Sequence, residues 1–119
     1  MLYSVEHHFS IYHVHLLSDQ SLDFDLITSS WDSSVELWQK GQIVESLEHS
    51  NWCRCFDLDK EKRLLAVVTD DGLTLWRLGR YEKIGEARIG QITDVRFNKN
   101  ATKLIASIAS GAVYEISLQ

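Results

Sequence analysis

Four histidines, His7, His8, His13 and His15, fall inside the ten-residue stretch Glu6–His15. Imidazole is a good ligand for zinc, copper or nickel, and on an extended strand His13 and His15 would share one face. A metal site asks for more than this. No carboxylate or thiol stands at ligand spacing from the pair, and the two histidines alternate with Val14 and Leu16 as the polar side of a half-buried strand does. A second constellation is Asp32, Ser33 and Ser34, which together with His7 has the composition of a serine hydrolase. Composition is not geometry: the chain has no nucleophile-elbow motif, and a triad is defined by its mutual placement and by oxyanion donors. The third is Cys53-Arg54-Cys55. A two-ligand CxC without a second pair falls short of a closed four-ligand zinc site. On a strand the two thiols share a face and cannot bridge without strain, so they read as small buried hydrophobes in a reducing compartment. No GxGxxG or GxxxxGK[ST] run cradles a phosphate. Accordingly no catalytic residue, metal or cofactor is assigned. A metal-dependent or hydrolytic enzyme built on residues 6–15 stands as the rival to a binding function.

The aromatic residues point elsewhere. Trp31 directly precedes the turn residue Asp32, and Trp52 directly follows Asn51. A large amphipathic ring on a loop is a typical anchor for a protein partner. The basic residues Arg77, Arg80, Lys83 and Arg88 are interleaved with Glu82 and Glu86, the pattern of a solvated outer strand.

The composition narrows the partners. The 119 residues suit one compact domain; 45% are hydrophobic and 24% charged, and the formal charge is −5. A net acidic surface disfavours nucleic acid, whose phosphates need basic groups, and equally an electrostatically held membrane contact. The longest apolar run, Leu64 to Val68, is far too short to span a bilayer, and MLYSVEHHFS lacks the basic start and long apolar core of a signal peptide. The expected location is cytoplasmic or nuclear.

Positioning these residues falls to strands. There is no proline and no sustained apolar recurrence at helical spacing. Short runs rich in Val, Ile, Leu, Trp and Tyr are instead separated by turn clusters: Ser18–Ser21, Asp32–Ser34, Lys40–Gly41, Asp59–Lys62, Asp70–Gly72, Gly79–Arg80 and Asn98–Thr102. Asp, Asn, Ser and Gly supply the local hydrogen bonds and backbone angles that turns require. A repeat organises the runs. From His7, apolar residues follow at plus four, plus seven and plus nine (Ile11, Val14, Leu16). From His49 the same offsets give Cys53, Phe56 and Leu58, and from Arg88 they give Ile92, Val95 and Phe97. Leu26–Ile27 lead to Asp32 and Trp38 as Leu64–Leu65 lead to Asp70 and Trp76. A weaker copy runs Leu104–Ile105, Ser110, Ile116. A period of about forty residues fits a four-stranded antiparallel sheet repeated around a propeller. The strands read as Ile11–Leu16, Asp25–Ser29, Val35–Trp38 and Ile43–Leu47; then Trp52–Leu58, Leu64–Val68, Leu73–Arg77 and Lys83–Ala87; then Ile92–Phe97, Leu104–Ser107 and Val113–Ser117. Leu2–Val5 is an outer strand belonging to a neighbouring sheet.

At this point nearly the whole chain resembles the WD-repeat β-propeller family, most closely in LITSSWDSSVELWQ. The resemblance implies an all-β fold, a partial β-propeller of three four-stranded antiparallel blades over residues 1–119, with blades near 7–48, 49–87 and 88–119 and residues 1–6 outside them. It also implies a structural hydrogen-bond tetrad of His7, Thr28, Asp32 and Trp38 in the first blade. In the second, His49, Asp70 and Trp76 match while Ala66 takes the hydroxyl's place. In the third, Arg88, Ser110 and Ile116 leave the tetrad absent. The Gly that usually precedes the His is Glu6 or Glu48, and the Asp that usually follows the Trp is Gln39 or Arg77.

The last blade lacks a fourth strand, which the resemblance assigns to an N-terminal strand or to another chain. Three blades are too few for a closed ring, so the chain is expected to be the C-terminal part of a longer protein or to associate with copies of itself. The family's partner-binding face would here carry Phe9, Trp31, Trp52 and Thr69. The function implied is a non-catalytic protein–protein interaction scaffold, such as a substrate-recognition module of a larger assembly.

Overall fold

The computed structural model describes residues 10–17 and 23–118. His7, His8, Phe9 and the expected strand Leu2–Val5 lie outside the described residues. The described chain is all-β, with eleven strands in three antiparallel sheets. The first sheet runs β1 (Ile11–Leu16), β2 (Leu26–Ser30), β3 (Ser34–Gln39) and β4 (Gln42–Glu48), each strand beside its predecessor. The second runs β5 (Cys53–Asp59), β6 (Leu64–Thr69), β7 (Gly72–Arg77) and β8 (Glu82–Ala87) in the same order. The third has β9 (Ile92–Phe97), β10 (Lys103–Ile108) and β11 (Val113–Ser117), with β11 at one edge among the described residues. The chain divides into two compact units, Met1–Arg54 and Cys55–Gln119, and the boundary falls inside β5.

Local chemistry sets the hairpins. Lys40 and Gly41 join β3 to β4 with both φ positive (50° and 82°), the two-residue turn whose twist matches that of antiparallel strands. Gly72 opens β7 at φ 142°, where a Cβ would collide with the carbonyl oxygen of Ala87. Asn98 closes the β9–β10 hairpin: its Oδ1 accepts from the backbone N–H of Thr102 (2.9 Å) and of Lys103 (3.0 Å). That is the turn role of Asn.

In the second unit the second and third sheets pack face to face. Ala66, Val68 and Leu73 meet Ile92, Val95, Leu104, Ala106 and Ile108 in one buried cluster. Each large aliphatic side chain so buried contributes about 1.5–3 kcal/mol. Two polar contacts join the same sheets: Asp57 Oδ2 accepts the backbone N–H of Phe97 at 2.8 Å, and Lys62 Nζ donates to the carbonyl of Ala101 at 3.4 Å.

The apolar repeat does not have one fate throughout. Cys53, Phe56, Ile92 and Val95 are buried, whereas Val14 and Leu16 of β1 are 61% and 74% exposed. For β9 the physical reason is that β6 packs across it. β1 is an edge strand in a unit that holds a single described sheet, so no second sheet within that unit covers it.

Candidate functional site: an aromatic patch on a pinned turn

The β2–β3 connection is Trp31-Asp32-Ser33, and hydrogen bonds tie it at every step. Ser30 Oγ donates to the carbonyl of Ser10 (2.8 Å), and the Trp31 N–H donates to the same oxygen (3.1 Å). The Asp32 N–H donates to Ser30 Oγ (3.2 Å), and Asp32 Oδ1 accepts from both the N–H (3.0 Å) and the hydroxyl (2.5 Å) of Ser34. The carbonyl of Ser33, a residue at φ 69°, takes the His49 N–H at 2.8 Å. Asp32 and Ser34, which suggested hydrolytic chemistry by their types alone, hold this turn to one another.

Three aromatic rings gather at this turn: Trp31 on it, Tyr12 from β1 and Trp52 from the segment before β5. Trp31 and Trp52 stack with centroids 4.4 Å apart and planes 6° from parallel. Tyr12 meets Trp31 at 5.1 Å and 53°. The rings remain 45% (Tyr12), 38% (Trp31) and 40% (Trp52) exposed. Trp52 precedes β5, and its backbone N–H is held by Asn51 Oδ1 at 2.8 Å. Tyr12 is placed by a β-bulge. Ile11 opposes Ser30 and His13 opposes Ser29, leaving Tyr12 as the extra residue of β1, and a bulge re-aims the side chain it carries. The third sheet has the same irregularity at the same repeat position. There Ser107 opposes Asp94 and Ile108 opposes Ile92, so Thr93 is the extra residue.

Trp31 and Trp52, expected singly as loop tryptophans, stack on each other, and Tyr12, which was not among the expected residues, joins them. No single-chain signal marks a bulge residue, although its neighbour Ile11 had been counted in the repeat. Thr69, assigned to the same face, is only 6% exposed, and its hydroxyl accepts the Asp71 N–H at 3.2 Å. It is the last residue of β6, where its hydroxyl holds the β6–β7 turn, and it is buried instead of surface-exposed. Phe9 lies outside the described residues.

The tetrad positions divide between the blades. Trp38 Nε1 donates to Thr28 Oγ1 at 3.0 Å, with both residues buried; His7 lies outside the described residues. The second blade differs in register. The β2–β3 loop has three residues and sets Trp38 opposite Leu26, whereas the β6–β7 loop has two, Asp70 and Asp71, and sets Trp76 opposite Leu65. One residue of slip reverses which side chains share a face. Trp76 therefore lies on the side of Leu65 and Val67, and Ala66 faces the aliphatic cluster with the third sheet. The residue standing where Thr28 stands is Val67, which corrects the alignment-based choice of Ala66. Neither has a hydroxyl. Trp76 is half-buried where Trp38 is buried.

Next to the patch, Cys53 is fully buried. Burial pushes its thiol well above the usual range, reinforced by the carboxylates of Asp32 and Glu48. Such a thiol stays protonated and is a poor nucleophile or metal ligand. Neither cysteine forms a disulfide. His13 and His15 oppose Ser29 and Ile27 on the edge strand β1, and among the described residues no three His, Cys, Asp or Glu side chains are grouped to hold a metal. No helix among the described residues is long and apolar enough to cross a membrane.

The family model for the WD domain, G-beta repeat, matches residues 1–39. WD repeat-containing protein 55 of Rattus norvegicus is 26% identical over 105 residues, covering 83% of this chain and 27% of that protein. Its Bos taurus counterpart matches to the same extent. The Mus musculus protein is 25% identical over 95 residues, 75% of this chain and 24% of its own length. The chain thus spans about a quarter of the length of these curated relatives. WD-repeat proteins are generally non-catalytic and bind protein partners. With this repeat matched over residues 1–39 and three antiparallel sheets recurring along its length, the chain is similar to WD-repeat proteins in sequence and has the sheet architecture expected of propeller blades.

Proposed function

We propose that the chain is a non-catalytic interaction scaffold whose first sheet holds a protein partner on the patch formed by Tyr12, Trp31 and Trp52. The observation that carries this reading is the partly exposed set of rings in which Trp31, on a hydrogen-bonded turn, meets both Tyr12 and Trp52. Preformed rings lose little conformational freedom on binding, and buried aromatic anchors dominate interface energetics. Val14 and Leu16 extend the apolar surface along β1. The edge strand β11, with Val113 and Tyr114 exposed, would accept a further strand from another segment or a second chain. The two unbridged cysteines suit the reducing cytoplasm or nucleus.

The test is capture of a partner by the full chain and by Trp31→Ala, with circular dichroism confirming that the sheets persist. Loss of the partner on truncation of Trp31 is the expected result. Retention of every partner by a folded Trp31→Ala chain would remove the patch as the binding face.

A further inference from the structure

We propose that the Tyr12–Trp31–Trp52 patch takes an arginine-bearing, basic segment of its protein partner. This rests on the reading of the patch as a docking face and adds the chemistry of the occupant.

Charge is distributed unevenly along the chain. Residues 1–54 contain eight carboxylates and two basic side chains, Lys40 and Arg54, whereas residues 55–119 contain nine carboxylates and ten basic side chains. The unit that displays the rings is therefore strongly acidic and the other nearly neutral. Lys40 lies in the β3–β4 turn, at the opposite end of the first sheet from Trp31. Near the rings, Asp32 follows Trp31 directly. Glu48 opposes Ser34, the residue whose hydroxyl Asp32 accepts. Both carboxylates act on the thiol of Cys53, the neighbour of Trp52. Arg54, an exposed residue, is the one basic side chain of this unit close in sequence to Trp52. Among the described residues, His13 follows Tyr12 in β1 and His49 donates its backbone N–H to the Ser33 carbonyl. Among the described residues, carboxylates thus gather around this turn, with Glu36 also reached by the Ser34 hydroxyl at 3.3 Å, and Arg54 is the basic residue nearest in sequence.

Exposed indole and phenol rings beside carboxylates are matched by a cation. Among cations, guanidinium fits best. Its plane stacks on an aromatic face, it is more weakly hydrated than an ammonium, and its fork can engage a carboxylate at the same time. An ammonium would meet the same rings only as a point charge. Phosphate-bearing partners are repelled by the same carboxylates. A second copy of the chain is a poorer match, because its less acidic unit is close to neutral.

Tryptophan fluorescence of the full chain titrated with three peptides of one length and backbone tests this. The peptides carry arginine, lysine or glutamate at the same Gly/Ser-spaced positions. The arginine peptide should bind at least about tenfold more tightly than the glutamate peptide, with lysine between them. Its affinity should fall as salt rises. Trp52→Ala should abolish the arginine response, and Glu48→Gln, at an exposed position, should weaken it with the sheets intact. Equal binding of the glutamate peptide, an arginine affinity unchanged in Trp52→Ala, or a signal traced by light scattering to self-association would each overturn the assignment. If Trp31→Ala still loses a captured partner while the peptides fail to follow this order, the docking face stands and the arginine assignment falls. If the partner is retained and the peptides also fail, both fall.

Discussion

The hairpins β2–β3 and β6–β7 grow from nearly parallel stretches of sequence, LITSSWDSSVELW and LLAVVTDDGLTLW. In the first, Thr28, Ser29, Ser30 and Ser34 are buried, and the interior is organised by hydrogen bonds: indole to Thr28, hydroxyl to Asp32, hydroxyl to the carbonyl of Ser10. In the second, Leu64 to Val68 are all buried, and Ala66 and Val68 join an aliphatic cluster with the third sheet. Hydrogen bonds are directional and fix a turn in one shape, so the first hairpin can present rings in a set geometry. Dispersion and hydrophobic burial are non-directional and reward area, so the second hairpin serves to hold two sheets together. One repeat plan thus supports a display surface in one place and a sheet-packing core in the other.

Truncating the aliphatic side of this contrast should have the largest effect. Leu104→Ala, across from β6 in the shared cluster, should cost about 2–5 kcal/mol in denaturant unfolding. On the polar side, Thr28→Val keeps the volume but leaves the buried Trp38 N–H without its acceptor, an expected loss of about 1–3 kcal/mol. A neutral Thr28→Val would mean that the indole bond does not organise the first hairpin.

A paired substitution tests the register. If the slip is real, Ala66→Thr forces a methyl and a hydroxyl into the aliphatic cluster and costs about 1–3 kcal/mol. Val67→Thr, on the Trp76 side, should cost less. The reverse order would restore Ala66 as the counterpart of Thr28.

The smallest effect concerns pH. The folded state holds the Cys53 proton beyond the thiol's ordinary value of about 8.5, so this contribution to stability is complete below that pH and declines as pH rises above it. Unfolding midpoints taken from neutral pH upward should fall more steeply for the wild type than for Cys53→Ala.

The strands, their order and the forty-residue period were legible in the sequence, because alternation and turn chemistry are local and each strand pairs with its chain neighbour. The Thr28–Trp38 pair was legible for the same reason, since two adjacent strands carry both residues. Trp31 and Trp52 could be nominated singly from their loop positions.

Three things were decided only in the folded chain. The β6–β7 turn uses two residues where the β2–β3 turn uses three, and this exchanges Ala66 for Val67 beside Trp76, because strand faces alternate with every residue. Tyr12 joins the patch through a bulge whose extra residue is defined by pairing with β2, and pairing is not a property of β1 alone. Trp31 and Trp52 stack across twenty-one residues of chain because β4 returns to the Ser33 carbonyl at His49 and brings Asn51 and Trp52 beside the turn. Sequence determined which residues alternate and where the chain turns; register and return path, set by long-range hydrogen bonding, decided which of them touch.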